Sequence, residues 1–179
     1  MFILYAVLAG LVAGLVTGGR LGGIGELRLR WPWLMFVGLA IQIVLFSDQV
    51  AAQVGDLGPV VYVGSTLLVL AALTQNLSVP GIPVVVLGAV SNLAAILANG
   101  GYMPASAQAL ASLGKSPPSI YSNSAVVEHP ALEPLTDIFA LPPWLPFANI
   151  FSLGDLLIGI GVSWAIAAAM HRRTGPAQA

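Results

Sequence analysis

One acid of this chain stands inside an apolar run: Asp155, in residues 149–170. A carboxylate at hydrocarbon depth is costly unless it is protonated, hydrogen-bonded or open to water, which makes Asp155 the first candidate for chemistry. On a helix, Ser152, Asp155, Gly159 and Ser163 share one small, polar face. In the preceding apolar run Gly88, Asn92, Ala95 and Asn99 are spaced 4, 3 and 4 and share another, ending at the same boundary. Asn92, Asn99, Ser152 and Asp155 are therefore the candidate binding residues. A structural alternative is that Asp155 caps its helix, with Asn92 or Asn99 as partner. If Asp155 works in catalysis, it needs a second carboxyl to share a proton, one group acting as base toward water and the other as acid. Asp137, in a Pro-rich segment, could supply it. Asp155 and Asp137 are thus the candidate catalytic residues.

Other reactive groupings give less. Glu128, His129, Glu133 and Asp137 place four potential metal ligands in ten residues, but Pro130 and Pro134 break the register that would align them. They read as a solvated acidic strap, and no metal site is expected. The chain has no Cys, no GxSxG, no HExxH and no phosphate-binding Gly loop, and no cofactor is expected.

The elements that must carry these residues follow from composition. Of 179 residues, 58% are hydrophobic and 7% charged, against roughly 25% charged in a soluble domain. The net charge of -1 excludes a basic nucleic-acid binder. The pattern predicts an all-α integral membrane protein, residues 1–179 forming one membrane domain with five transmembrane helices. The spans are residues 2–18, 31–47, 59–75, 82–98 and 149–170, separated by Gly and Pro clusters and, before the last, by a long Pro-rich strap. No Lys or Arg precedes the first run and no small-x-small site follows it, so it reads as a span rather than a signal peptide.

Five of the six cations, Arg20, Arg28, Arg30, Arg172 and Arg173, fall on one side of a five-span arrangement; Lys115 falls on the other. Because short cytoplasmic loops retain cations, the N-terminus is expected outside and the C-terminus inside. The expected location is the bacterial cytoplasmic membrane, with Asp48, Asp56, Glu128, Glu133 and Asp137 on the outer side.

In lipid, helices associate through close backbone approach and interhelical hydrogen bonds. Ala6, Gly10, Gly14 and Gly18 form a ridge every fourth residue, expected to pack against the second or fifth span, with a dimerisation face as the alternative. Gln42, with Gly38 one turn before it, is expected to face the bundle, and Trp164 to pack within it. Trp31, Trp33 and Trp144 stand at span ends, where indoles favour the headgroup region. In the strap, residues 102–114 predict a short helix with Pro104 in its first turn and Gly114 just past its end. Beyond it, seven prolines exclude a regular helix, while residues 135–147 are apolar enough to fold back as a lid over Asp155.

At these residues the chain becomes familiar. The stretches Asn99-Gly100-Gly101-Tyr102-Met103-Pro104 and Asn149-Ile150-Phe151-Ser152-Leu153-Gly154-Asp155 resemble the signatures of an uncharacterised bacterial family of small multi-span membrane proteins, a domain of unknown function. That likeness covers nearly the whole chain and implies no activity. The last spans also resemble the lipoprotein signal peptidases, aspartyl proteases of the bacterial cytoplasmic membrane. Gly88-Ala89-Val90-Ser91-Asn92-Leu93 is similar to the first half of that family's Gly-Ala-x-x-Asn-x-x-Asp-Arg motif, and Phe151-Ser152-Leu153-Gly154-Asp155 to its Phe-Asn-x-Ala-Asp motif. The resemblance implies a signal-peptidase-like fold in spans two to five, with the first span added and a carboxyl pair at the outer boundary. It also sets the first Asp and the Arg of that pattern at Ala95 and Ile96, so one carboxylate, Asp155, carries over.

With that position lost, the sequence favours a non-catalytic polytopic membrane protein, a binding or accessory subunit with a polar site at the outer boundary. The alternative is an aspartyl membrane hydrolase resembling lipoprotein signal peptidase and using Asp155 and Asp137. A small transporter or channel is a second alternative, disfavoured by one buried charge and no internal repeat. The expected partners are membrane lipid, a lipid-like ligand or another membrane protein, and no nucleic acid.

Overall fold

The five apolar runs each form one long helix. In the computed structural model, which describes residues 2–114 and 124–172, these are α1 (Phe2–Val16), α3 (Pro32–Leu45), α5 (Leu57–Thr74), α6 (Ile82–Ala98) and α8 (Leu153–Met170). Short helices α2 (Gly22–Gly25), α4 (Asp48–Ala51) and α7 (Ala107–Ser112) lie between them. Lys115, Arg173 and two of the seven strap prolines, Pro117 and Pro118, lie outside the described residues. The chain is mostly helical, and α5 and α8 are long and apolar enough to cross a membrane; α1, α3 and α6 are apolar but shorter.

Helix ends fall within a few residues of the expected runs, and two of the differences have a clear local cause. The first run stops being helical at Val16 rather than residue 18, because Gly18 turns into the left-handed region at φ 87°. The last helix begins at Leu153 rather than 149, because Ile150–Phe151 is extended and Ser152 caps the helix.

Neighbouring helices run in the spatial order α1, α8, α6, α5, α3. Small residues set the close approaches. Ala6, Gly10 and Gly14 are buried against α8: a Cβ on Gly10 would stand 2.7 Å from the Ser163 carbonyl, and one on Gly14 would collide with the Met170 sulfur. The Ser163 hydroxyl donates to the Ala6 carbonyl at 2.6 Å. Gly18, expected on the same ridge, has open space around it. On the opposite face of α8, Gly161 meets Gly81 and Gly154 meets Gly88, backbone on backbone. Gly38 lies against the Ser65 carbonyl of α5, and Gln42 Nε2 donates to Ser65 Oγ at 3.2 Å and Thr66 Oγ1 at 3.3 Å. Trp164 does not pack as expected; it is 55% exposed, on the side of α8 turned away from its neighbours.

One end of the bundle collects arginines. The Arg20 backbone N–H donates to Met170 O, Arg172 reaches the Glu26 carbonyl, and the side chain of Asn76 pins the backbone of Arg30 in both directions, at 2.7 and 2.9 Å. Asp155 stands at the other end, where the strap lies.

The strap is built from short extended pairs. β1 (Met103–Pro104) runs parallel to β2 (Ser124–Ala125), and β3 (Phe139–Ala140) runs antiparallel to β4 (Ile150–Phe151). Pro104 is therefore in a strand, not in the first turn of a helix over 102–114; it lacks an N–H, but its carbonyl accepts from Asp137 N. α7 starts later, capped by Ser106, and Gly114 follows its end at φ 64°.

Candidate functional site

Asp155 belongs to a reciprocal network. Ser152 Oγ accepts from Asp155 N at 2.9 Å while Asp155 Oδ2 accepts from Ser152 N at 3.2 Å, so the two form a capping box that satisfies donors at the head of α8. The cap itself is Ser152, with Asp155 as its partner in the first turn. Asn92 completes the cluster from α6: its Nδ2 donates to Asp155 Oδ1 at 2.8 Å, and its Oδ1 accepts from Ser152 Oγ at 2.7 Å. Ser152 is fully buried. The network exists because α6 and α8 touch here without side chains between them. A Cβ on Gly154 would overlap the Asn92 carboxamide, and one on Gly88 would overlap the Gly154 carbonyl.

Asn99, on the same face as Asn92, does not reach Asp155. It pins the strap instead, accepting from Ala131 N at 2.9 Å and donating to Ala131 O at 2.8 Å and to Ala95 O at 2.8 Å. That anchor precedes the 3-10 turn Glu133–Leu135, which touches both α6 and α8. Thr136, 1% exposed, then binds Glu133 O through its hydroxyl.

Asp137 follows in a fixed frame. Its N–H donates to Pro104 O at 2.9 Å and its carbonyl accepts from Ser106 N at 3.0 Å, bridging the segment to β1. Two residues later the same segment becomes β3, which pairs Phe139 with Phe151 of β4, directly before Ser152. The strap thus delivers Asp137 to the head of α8. Asp137 is 6% exposed, and its carboxyl is raised from an ordinary 3.8 to about 7, chiefly by burial. The negative charge of Asp155 pushes the same way, and the Ser124 hydroxyl, 3.4 Å from Oδ2, pulls part of the way back. One carboxyl on the strap and one in α8 therefore repel each other, and Asp137 keeps its proton to higher pH than a free Asp.

Asp155 also lines a cleft of about 250 Å³ with Phe2, Ile3, Asn149 and Ile158. Aromatic stacking closes one side: Phe151 lies 4.6 Å from Phe2 and 5.5 Å from Phe139, centre to centre. Asp137 does not line this cleft. Glu128 and Glu133 line a separate cavity of about 280 Å³ beside α7. Between α3, α4 and α5 runs a third, apolar groove of about 430 Å³, lined by residues including Ile41, Leu45 and Val54.

Some of this constellation had no clear signal in the sequence. Ser124 lies in a segment without helical period, and its partner Asp137 is on another stretch of the strap. Gly154 did carry one, a Gly beside the acid in a first helical turn.

These features define a bundle of apolar helices with a hydrogen-bonded polar cluster and a second carboxyl at one end. Residues 26–167 match the model of a family of unknown function, DUF5317, and the chain belongs to that family. The matched residues start after α1 and include the whole polar cluster. No curated protein and no solved structure matches the chain.

Proposed function

We propose that the chain is a five-span membrane aspartyl hydrolase that uses Asp137 and Asp155 as an acid and base pair. The observation that carries this reading is the delivery of a buried carboxyl, by the strap, to the charge of Asp155 at the head of α8. Asp155 accepts from two donors, and each carboxylate oxygen has a further lone pair with which to take a proton from water. That water's oxygen attacks the scissile carbonyl carbon. Asp137, holding its proton, gives it to the carbonyl oxygen; on collapse the C–N bond breaks, the amine leaves with the proton Asp155 had taken, and a hydroxyl of the diol returns its proton to Asp137, leaving the free acid. The loss of a carboxyl at Ala95 does not weaken this pairing, because the second group comes from the strap.

The membrane setting is part of the proposal. Large apolar side chains such as Leu8, Phe36, Ile43, Val60, Leu87 and Ile160 are exposed along all five long helices, a surface that suits lipid rather than water. α1 and α3 reach about 22 Å as helices, so adjoining turns must complete their passage through roughly 30 Å of hydrocarbon. With arginines at one end and Asp137 and Asp155 at the other, the cation rule sets the N-terminus and the carboxyl pair on the outer face of a bacterial cytoplasmic membrane.

The competing reading is a binding or accessory subunit, and the capping box favours it, since it gives Asp155 structural work. Hydrolysis of a quenched apolar peptide by the detergent-purified chain separates the two. The enzyme reading expects Asp137→Asn and Asp155→Asn each to remove on the order of 10³ or more of the rate without unfolding the protein. No turnover by the native chain, or turnover untouched by Asp137→Asn, favours the accessory subunit.

A further inference from the structure

The groove between α3, α4 and α5 has no part in the Asp155 site. Every side chain that lines it is aliphatic, from Val37 and Ile41 on α3 to Val50 on α4 and Val61 on α5. An extended peptide laid there would bury backbone N–H and C=O groups without partners, so the occupant must be hydrocarbon along its length. A further helix does not suit the lining. In this bundle helices approach over small residues, as at Gly10, Gly81 and Gly88, whereas the groove presents branched side chains and one small residue, Ala40. The size fits an acyl chain: a cavity of about 150 Å³ takes one benzene, so the groove of about 430 Å³ takes on the order of fifteen carbons.

Charge at one end of the groove selects the headgroup. Arg30 precedes α3, so α4, which follows α3, stands at the end opposite the arginines. Asp48 opens α4 two residues before Val50, and Asp56 comes two residues after Val54; both acids are exposed. Among the described residues no Lys or Arg stands at this end. A phosphatidylglycerol headgroup, purely anionic, meets like charge there, and a choline has no N–H to donate. A primary ammonium brings both positive charge and three donors. We propose that the groove is a binding site for one phosphatidylethanolamine molecule, with an acyl chain between α3 and α5 and the ammonium group at the rim that carries Asp48 and Asp56. The proposal rests on the membrane setting given above and is independent of the Asp137 and Asp155 pair.

The test is native mass spectrometry of the full chain released from dodecyl maltoside, after incubation with equal amounts of dioleoyl phosphatidylethanolamine, phosphatidylcholine and phosphatidylglycerol. One phosphatidylethanolamine per chain is expected to remain bound, about fivefold over either competitor, the size of one exposed ion pair. Asp48→Asn combined with Asp56→Asn should level the three lipids. Ala40→Phe, which fills the groove from an exposed position, should remove the adduct, while Leu8→Phe on the exposed side of α1 should keep it. No retained lipid, equal retention of all three, preference for phosphatidylglycerol, or an adduct untouched by both Ala40→Phe and Val61→Phe overturns the proposal. So does a lipid-free mass of two chains that is lost in Ala40→Phe, which would make the occupant a second copy. The comparison of lipids on the native chain stands whether or not the variants fold. Membrane insertion is scored separately, by alkaline carbonate extraction of membranes that contain the chain. Release into the supernatant refutes the membrane setting and this site together, whereas a chain that stays in the membrane but retains no lipid refutes this site alone.

Discussion

Replacing Asn92 by Ala removes two interactions at once, and their sizes can be worked from the structure. Asp155 Oδ1 loses its 2.8 Å donor, a bond to a charged group worth roughly 1.5–3 kcal/mol. Ser152 Oγ loses the acceptor of its hydroxyl proton inside a fully buried site, an unsatisfied group that costs roughly 1–3 kcal/mol. The capping box survives, because Ser152 and Asp155 still exchange their backbone bonds. The expected destabilisation is about 4 kcal/mol, or roughly 10 °C in Tm for a chain of this size. Asn99→Ala is the matched control. It also removes hydrogen bonds, but those to Ala131 are solvent-exposed, so it should cost about 1 kcal/mol. Thermal unfolding in dodecyl maltoside, followed by circular dichroism, compares the two. Equal losses for Asn92→Ala and Asn99→Ala would refute the reasoning, as would a loss under about 1 kcal/mol for Asn92→Ala.

Gly10→Leu should lower stability by about 3 kcal/mol or more, because even a Cβ there meets the backbone of Ser163; unfolding in the same detergent checks it, and an unchanged midpoint contradicts the α1–α8 contact. Asp137 holds its proton in the native chain up to about pH 7, whereas an unfolded Asp releases it near 3.8. The native state thus binds more protons between those values, so stability falls as pH rises through that window, by roughly 4 kcal/mol at most. Midpoints at pH 5 and pH 8 should differ in the native chain and converge in Asp137→Asn. Reporter fusions at Ala179 and in the 48–58 loop should report opposite compartments, and the same compartment for both would sink the five-span arrangement.

What the sequence could disclose was periodic. Apolar runs between charges located the five long helices, and small residues at four-residue spacing located their contacts, with Gly10, Gly14 and Gly88 all found against α8. Asn92 and Asp155 were legible as a pair because each lay on a polar face ending at the same boundary. Other features had no period to betray them. Each strand of the strap is two residues long, too short for an alternating pattern, and the position of Asp137 depends on hydrogen bonds to Pro104 and Ser106 more than thirty residues away. Asn99 shares the helical face of Asn92 but lies at the helix end, where Ala131 is nearer than Asp155. Trp164 showed the limit of composition: a large side chain inside an apolar run can face outward as readily as inward.

The central claim is that Asp137 and Asp155 share one site and divide the roles of acid and base. Carbon-13 NMR of the chain labelled at the Asp carboxyl carbons, titrated from pH 3 to 9 in detergent, measures this directly. The account predicts one carboxyl titrating at about 7, missing from Asp137→Asn and moved to lower pH in Asp155→Asn, where the neighbouring charge is gone. A spectrum in which no carboxyl titrates above pH 5, or in which the Asp137 signal is unmoved by Asp155→Asn, would contradict it.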